Sequence, residues 1–183
     1  MLNTPLPSIS QIETERLILR PLIHEDDSAI LFIRSNDIVN RYIDRPKSIT
    51  IEDARNFIIR IEKMTERNEG LYRAIILKET GELIGTTCYF NIDHVKGIAE
   101  IGYELHPDHH GKGLMQEAIR EMLSVGFKQF NFKTIVAMVF PENERSIKVL
   151  ERNNFLPDTT HQYVTEKTNE QLQAYYLLTD SFK

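Results

Sequence analysis

The sequence predicts an α/β fold in which helices flank a mixed, mostly antiparallel sheet. Short apolar runs typical of strands recur along the 183 residues, and most follow one another directly, which favours antiparallel pairing. Two amphipathic helical patterns occur near the start. In the middle a strand, a helix and a strand follow in order, and such a βαβ unit places two strands in parallel.

The first strand and the first helix are predicted within the first 42 residues. Leu17 and Leu19 occupy alternate positions of an apolar run, which is the pattern of a strand with one buried face. Pro21 ends this strand, predicted over residues 14–21. Apolar residues then recur at roughly helical spacing over residues 26–42, so a single helix is predicted there.

A second helix is predicted between Thr50 and Gly70. Thr50 and Asp53 have the spacing of a capping box, which marks a helix start. Gly70 is expected to stop the helix. Four apolar side chains at helical spacing are expected to form its buried stripe: Ala54, Phe57, Ile58 and Ile61.

The rest of the chain alternates between strands and helices. Residues 79–82 contain a glycine and form a connection of hairpin length, so the strands on either side should pair antiparallel. The nearly continuous apolar run over residues 134–140 indicates a strand buried on both faces. Strands are predicted at residues 71–77, 83–90, 98–105, 134–140, 162–164 and 174–178, and helices at residues 114–130 and 143–154.

Composition excludes several classes of protein. No apolar run is long enough for a membrane helix, and the first ten residues lack the apolar core of a signal peptide, so a cytoplasmic location is expected. Cys88 is the only cysteine, which excludes an internal disulfide and a multi-cysteine zinc site. The net charge of −5 argues against nucleic-acid binding. We expect a single domain over residues 1–183, present as a monomer or homodimer.

A glycine-containing turn is the strongest candidate for a binding site. Gly111, Lys112 and Gly113 lie between the strand that ends at Leu105 and the helix that begins at Leu114. Glycines permit close backbone approach, and a helix N-terminus offers free N–H groups and positive potential, so the turn favours a pyrophosphate. Lys112 adds a positive charge. Glycines that only cap a tight turn are the alternative interpretation.

The segment HGKGLM resembles the acetyl-CoA signature of the GNAT superfamily of N-acetyltransferases, Gln/Arg-x-x-Gly-x-Gly/Ala. His110 replaces Gln/Arg and Met115 replaces Gly/Ala. TERLILRPL, AEIGYELHPDHHGKGLMQEA and NERSIKVLERNNF occur in the order seen in the branch that resembles ribosomal-protein-alanine N-acetyltransferases. The resemblance spans residues 13–180.

This resemblance implies a twisted sheet whose central parallel strands, residues 98–105 and 134–140, splay apart. Acetyl-CoA, the acetyl donor, would place its pantetheine arm in that gap, and no metal is implied. Backbone groups near Leu105 would bind the pantetheine amides and the acetyl oxygen, and Asn143 would also bind the pantetheine. The residues implied in binding the pyrophosphate are His110, Gly111, Lys112, Gly113, Leu114 and Met115.

The resemblance also implies a base and an acid. Glu100 matches the position of the family's glutamate base, acting directly or through a water, and Glu104 on the same strand face is the alternative. Ser146, in the Asn-x-x-Ser start of a helix, matches the residue that protonates the leaving thiolate. Tyr103 is a weaker candidate for the acid.

Two other chemical readings are less favoured. Cys88 lies in a strand without a neighbouring base, which favours a buried side chain over an acetyl carrier, so direct transfer in a ternary complex is expected. His106, His109 and His110 lie with Asp108 in one short loop, which is a weak signal for zinc.

The acceptor is the least defined part of the prediction. The resemblance implies a primary amine, with a protein N-terminus such as that of a ribosomal protein as the leading hypothesis. A small amine such as a polyamine or an antibiotic, and a catalytically silent acyl-CoA-binding module, are the alternatives. The acceptor side is expected between residues 26 and 69, on loops and helices.

Overall fold

The computed structural model describes residues 10–43, 45–165 and 170–182. Within them the chain forms a sheet of nine strands in the order β1-β2-β3-β4-β5-β6-β9-β7, with β8 beside β9. The strands are β1 (Ile12–Glu13), β2 (Leu17–Arg20), β3 (Leu71–Leu77), β4 (Leu83–Asp93), β5 (Ile98–Leu105), β6 (Thr134–Val139), β7 (Leu156–Pro157), β8 (Tyr163–Val164) and β9 (Gln171–Leu178). The helices are α1 (Asp27–Ser35), α2 (Asp37–Asn40), α3 (Ile51–Glu66), α4 (Leu114–Lys128) and α5 (Glu144–Arg152).

The predicted sheet type is confirmed. Strands β1 to β5 pair antiparallel in sequence order, β5 and β6 are parallel, and β9 returns antiparallel to β6. The βαβ unit predicted from the sequence is therefore β5-α4-β6. Among the described residues, no helix is long and apolar enough to cross a membrane.

Helices cover the two faces of the sheet and bury one apolar cluster on each. Ile75 of β3 packs in the cluster that contains Met122 of α4. The next residue towards the N-terminus, Ala74, packs in the other cluster, with Ile30 of α1 and Ile58 of α3. Adjacent strand residues point to opposite faces, so α4 covers one face while α1 and α3 cover the other.

The first strand begins later than predicted, and the first helix is interrupted. Leu17 and Leu19 are fully buried as expected, but a turn at Thr14 occupies the start of the predicted segment, so the strand β2 begins at Leu17 and the short strand β1 precedes the turn. The helix predicted over residues 26–42 breaks at Asn36, whose side-chain oxygen accepts the N–H groups of Ile38 and Val39. This side chain competes with the helical backbone and starts α2 as a separate turn.

The second helix begins as predicted and ends earlier. Thr50 and Asp53 form the capping box, and the four residues of the predicted stripe are buried. Glu66 is the last helical residue, and Asn68 adopts a left-handed φ of 57°. Asparagine tolerates this conformation better than most residues, so the helix stops before Gly70.

Most of the remaining elements agree closely with prediction, although β7 was not predicted and β9 begins at Gln171, before its predicted start at residue 174. Strands β3 and β5 have the predicted bounds, and β3 and β4 form the antiparallel hairpin. The expectation that β6 is buried on both faces was too strong. Ile135, Ala137 and Val139 are buried, whereas the alternate residues are half-buried, because the cluster under α1 and α3 stops short of β6.

Candidate active site

Strands β5 and β6 separate after a short stretch of pairing. Three residue pairs join them, and the last is Glu100 with Val136. Beyond this pair β5 continues to Leu105 beside β4, while β6 stays with β9. A cleft of about 640 Å³ lies beyond the separation, between α2, β5, α5 and the start of α4. The splayed parallel pair is therefore present.

The edge of β5 that faces the cleft carries unpaired backbone groups. His106 donates its N–H to the carbonyl of Ile84 across the β4–β5 ladder, at 2.7 Å. Hydrogen-bonded and non-bonded pairs alternate in an antiparallel ladder, so the N–H and C=O of Leu105 and Tyr103 point away from β4 towards the separation. Of these, the N–H and C=O of Tyr103 and the N–H of Leu105 are available to a ligand with amide groups, whereas the C=O of Leu105 accepts from the His110 side chain.

The glycine turn opens directly onto the first turn of α4. Gly111 and Gly113 have left-handed φ angles of 74° and 75°, which glycine adopts without strain. Glu117 is the first α4 residue that donates to the carbonyl four residues back, that of Gly113, at 3.1 Å. The N–H groups of the residues between them have no partner within the helix, so the turn presents the donors that bind an anion.

Arg16 and Glu117 fix this turn to the start of β2. The Glu117 carboxylate accepts the Arg16 guanidinium at 2.7 Å, the Arg16 backbone N–H at 2.8 Å and the Thr14 hydroxyl. Arg16 also donates to the carbonyl of Lys112, at 2.9 Å. Burial alone raises the pKa of Glu117, but these hydrogen bonds outweigh it and hold the pKa below its usual value. No local pattern in the sequence predicts this contact, because the partners lie far apart in the chain.

His110 connects the turn to both walls of the cleft. Its Nδ1 lies 2.9 Å from a guanidinium nitrogen of Arg145, and its Nε2 lies 3.0 Å from the carbonyl oxygen of Leu105. Arginine only donates and a carbonyl only accepts, so Nδ1 is the acceptor and Nε2 carries the hydrogen. His110 thus occupies the signature position as a structural link.

The start of α5 brings Asn143, Ser146 and Tyr103 together. Asn143 is the N-cap, and its side-chain oxygen accepts the Ser146 N–H at 3.2 Å. The Ser146 hydroxyl lies 2.7 Å from the Tyr103 hydroxyl, and all three residues line the cleft. Burial raises the pKa of Tyr103, which the hydrogen bond with Ser146 only partly offsets. Tyr103 therefore stays protonated and can donate to Ser146.

Glu100 lies at the point where β5 and β6 separate. It belongs to the last pair of the ladder and accepts a hydrogen bond from the Asn91 side chain, at 2.9 Å. Burial raises the pKa of Glu100, and the bond from Asn91 opposes this shift. Its side chain is not among those that line the cleft, so contact with a substrate would require a bridging water.

Glu104 lines the cleft but is already engaged. Its carboxylate lies 2.5 Å from an Arg45 guanidinium nitrogen and accepts the Thr86 hydroxyl at 3.0 Å. The Glu104 side chain is 4% exposed. Arg45 and Thr86 thus occupy the oxygens of a buried carboxylate, whereas Glu100 is less buried and is held by the Asn91 amide, so Glu100 is the better placed base of the two.

The remaining predicted residues are distributed as follows. Lys112 is exposed at the turn and does not line the cleft. Cys88 lies on β4, and burial raises the pKa of its thiol to about 12. Within the described ranges, no group of three or more metal-ligating side chains occurs. Besides Tyr103 and Glu104, the predicted site residues that line the cleft are Leu105, His110, Gly111, Gly113, Leu114, Met115, Asn143 and Ser146.

Sequence reasoning missed two further features of the cleft. Gln116 lines it, and the side-chain oxygen of Gln116 is buried without a hydrogen-bond partner among the described residues. Arg145, Lys148 and Arg152 also line it and recur at helical spacing on α5, so one face of that helix is basic. An unmet acceptor, a basic helix face and an anion-binding turn fit a ligand that combines amides with phosphates, as acetyl-CoA does.

A splayed parallel strand pair with the free N–H groups of a helix start at its mouth is the arrangement expected of acetyl-CoA-dependent acetyltransferases. Comparison with protein families agrees, because the model of the acetyltransferase (GNAT) domain matches residues 16–156. The chain belongs to this family and is an N-acetyltransferase that uses acetyl-CoA as its donor.

Three similar proteins illustrate the range of the family. An uncharacterised N-acetyltransferase, p20, of Bacillus licheniformis is 39% identical over 78% of this chain and 80% of its own length. The spermidine N(1)-acetyltransferase of Escherichia coli is 28% identical over 75% of this chain and 71% of its own. The crystal structure of a ribosomal-protein-S5-alanine acetyltransferase from Vibrio fischeri shares the fold, with a TM-score of 0.79, 23% identity, and coverage of 94% and 98%.

Proposed function

We propose that this chain transfers the acetyl group to a primary amine that attacks acetyl-CoA directly in a ternary complex. The observation that carries the proposal is the position of the candidate base and acid along one opening in the sheet. Glu100 lies where β5 and β6 separate, and Ser146 lies on the far wall of the cleft beyond it. The reacting groups would meet between them.

The donor binds along the edge of β5 and the start of α4. Free N–H groups of the turn over residues 111–116 hold the pyrophosphate, with Lys112 as a nearby charge. Backbone groups of Leu105 and the side chain of Asn143 bind the pantetheine. A backbone N–H of β5 stabilises the negative charge on the acetyl oxygen in the tetrahedral intermediate.

Proton transfer uses both sides of the opening. The amine nitrogen attacks the thioester carbon, and Glu100 takes a proton from that nitrogen through a water and releases it to solvent. The C–S bond then breaks. Ser146 gives its proton to the sulfur as it receives one from Tyr103, and Tyr103 is reprotonated from solvent. The products are the acetylated amine and CoA.

Direct attack is favoured over an acetyl-cysteine intermediate. A thiol reacts as its thiolate, and burial keeps the pKa of Cys88 at about 12. The side chain packs in the cluster under α1 and α3. Replacement of Cys88 by alanine is therefore expected to leave turnover intact.

The acceptor we favour is a protein N-terminal amine, such as that of a ribosomal protein. An α-amine has a pKa of about 7.7–8.0, against about 10.4 for lysine, so a water-mediated carboxylate base suffices. The similarity to the ribosomal-protein-S5-alanine acetyltransferase supports this choice. A polyamine is the second candidate, because the spermidine acetyltransferase of Escherichia coli is also a relative.

An acceptor screen tests the proposal. Purified protein is incubated with acetyl-CoA and a panel of peptide N-termini, lysine and polyamines, with CoA release and product mass as readouts. Glu100→Gln is expected to lower kcat about 100-fold or more, and Ser146→Ala to lower it with little effect on acetyl-CoA binding. Turnover that survives both substitutions would show that the assigned roles are wrong.

The same screen tests a silent acyl-CoA-binding module. This reading is kept because His110 and Met115 depart from the family signature. Acetyl-CoA that binds while no amine in the panel releases CoA would favour it.

A further inference from the structure

The cleft wall opposite α4 and α5 is mainly apolar. It is formed by α2 and the residues that follow it, on the side of the sheet covered by α1 and α3. Ile38 on this wall is 58% exposed. Since the donor-binding groups lie on the opposite wall, this one faces the acceptor, and its apolar surface favours an acceptor with an apolar group beside the amine. The apolar residues are Ile38, Val39, Tyr42 and Ile43.

One buried carboxylate lies at the base of this wall, and an arginine neutralises it. Glu104 is the only acidic residue that is buried among the described residues lining the cleft. Arg45 contacts it at 2.5 Å. The nearby Arg34, itself buried, interacts electrostatically with both residues. The carboxylate therefore has no unmatched charge to offer an incoming cation.

A second contact, to Asn40, also holds the Arg45 guanidinium in place. Its Nε donates to the Asn40 side-chain oxygen at 2.9 Å. The Asn40 amide in turn donates to the carbonyls of Ile33 and Asn36, at 3.2 and 2.7 Å. The guanidinium is thus fixed over Glu104 by the end of α1 and by α2.

Other charges near the acceptor wall do not replace Glu104. Arg41 is an additional cation, Glu142 is exposed, and Glu144 is paired with Lys148 at 3.3 Å. A polyamine carries several ammonium groups, and each needs a carboxylate partner when it leaves water. Among the described residues, this wall provides no free buried partner for a second ammonium group.

We propose that Arg45, by neutralising Glu104, sets the acceptor class as a peptide α-amine followed by apolar side chains and without a second ammonium group. The inference rests on the proposed acetyl transfer. Arg45 acts as a specificity residue, since it neutralises the one buried carboxylate that the described part of the cleft could offer a polyamine. Removal of the arginine charge exposes that carboxylate to the acceptor and shifts preference towards polyamines.

The test compares kcat/KM for three acceptors: a peptide beginning Ala-Leu, the matched peptide beginning Ala-Lys, and spermidine. The wild-type protein is expected to favour the Ala-Leu peptide over both others by at least about tenfold, the effect of a single close charge pair. Arg45→Gln is expected to reduce the ratio of peptide to spermidine by at least about tenfold. Arg41→Gln, on the same wall but with its guanidinium over the Tyr42 ring, is the matched control and should change this ratio little.

A second variant keeps the test decisive if Arg45→Gln folds poorly. The double variant Arg45→Gln/Glu104→Gln has neither charge, so it should retain the wild-type preference for the peptide, and circular dichroism checks its fold. Preference of the wild-type protein for spermidine, or equal shifts in Arg45→Gln and Arg41→Gln, would overturn the inference while CoA release continues. Absence of CoA release with every amine would instead overturn the proposed function.

Discussion

Glu100, the proposed base, is a partly buried carboxylate, and its burial disfavours the ionised form. Burial raises its pKa, and Asn91 opposes the shift through one hydrogen bond. A raised pKa means that the folded state binds the proton more tightly than the unfolded chain. Ionised Glu100 therefore lowers the stability of the fold as pH rises from the unfolded pKa through the folded one.

The pH dependence of the Glu100→Gln variant follows from the direction of this pKa shift. Wild-type kcat/KM should fall as pH decreases through the raised pKa of Glu100, which gives the rate profile an acid limb. The variant should have a low kcat/KM at all pH values and should lack this acid limb. At neutral pH the variant should unfold at a higher temperature than the wild type, with the difference gone below about pH 4. Rate profiles and thermal unfolding at several pH values measure both effects.

A substitution at Asn91 provides a matched control that tests whether the acid limb of the rate profile belongs to Glu100. Asn91 has a left-handed φ of 49°, so glycine preserves the backbone while removing the amide. Asn91→Gly should shift the acid limb of the rate profile to higher pH, because the opposing hydrogen bond is lost. An unmoved limb would assign it to a different group.

The Tyr103–Ser146 hydrogen bond predicts coupled substitutions. Tyr103→Phe and Ser146→Ala should each lower kcat about 10- to 100-fold with little change in the KM for acetyl-CoA. The double variant should be little worse than the more affected single variant, because both act through one contact of 2.7 Å. Tyr176→Phe, which removes a hydroxyl from β9, is the control, and fully additive losses would contradict a shared path.

At the scale of elements, the position of α4 depends on contacts at both of its ends. Its first turn is tied to β2 through Glu117, and its last turns approach the sheet at Gly126. A Cβ at Gly126 would lie 2.7 Å from the Tyr89 hydroxyl and 2.9 Å from a methyl group of Ile135. The Tyr89 hydroxyl in turn donates to the Met122 carbonyl at 2.7 Å.

Loosening the first turn of α4 should weaken donor binding. Glu117→Gln removes the charge that holds Arg16, so the link of the turn over residues 111–113 to β2 is weakened and depends more on the hydrogen bond from Arg16 to the Lys112 carbonyl. The KM for acetyl-CoA should rise about 3- to 10-fold while kcat changes little. Glu121→Gln, one helical turn further along, is the control, and equal effects of both would exclude a specific role for the contact.

Crowding at Gly126 should destabilise the whole fold. Gly126→Ala forces α4 away from β4 and β6, at a cost of about 1–3 kcal/mol in the free energy of unfolding. Urea unfolding followed by circular dichroism measures this cost. Ser124→Ala on the same helix adds no atom and should change stability by less, so a Gly126→Ala variant as stable as this control would refute the packing argument.

At the scale of the molecule, local signals predicted most of the architecture. The capping box at Thr50, the bounds of β5 and the glycine turn all depend on residues that are neighbours in sequence, so pattern and turn chemistry suffice. The break at Asn36 was missed because a side chain that starts one helix looks, by spacing alone, like a residue within a longer one.

The candidate site was predictable only in part, and for a physical reason. The resemblance pointed to the turn, Glu100 and Ser146 because these lie in short segments. The contacts of Arg16 with Glu117 and of Arg45 with Glu104 join distant segments, and no local pattern predicts which charges the fold brings together. To predict that Tyr103 is the partner of Ser146, one would also need to know how β5 and α5 lie against each other.

Donor binding should stabilise the chain as a unit. A ligand that binds only the folded state adds about 2.7 kcal/mol at a concentration 100 times its Kd. Acetyl-CoA should therefore raise the unfolding temperature, and hydrogen exchange should slow at residues 101–105 and at the start of α4. Unchanged exchange there, despite binding, would place the donor elsewhere.

The three residue pairs between β5 and β6 have a mechanical consequence. Because pairing stops after these three, the sheet has a larger part, β1 to β5, and a smaller part, β6, β9, β7 and β8. The chain connects the two parts through α4. Acetyl-CoA lying along the separation would contact both parts of the sheet where the backbone hydrogen bonds between β5 and β6 stop. In each catalytic cycle, donor binding would then make the junction between the two parts of the sheet more rigid, and release of CoA would make it more flexible again. The rigidity of the molecule would therefore follow the occupancy of the donor site.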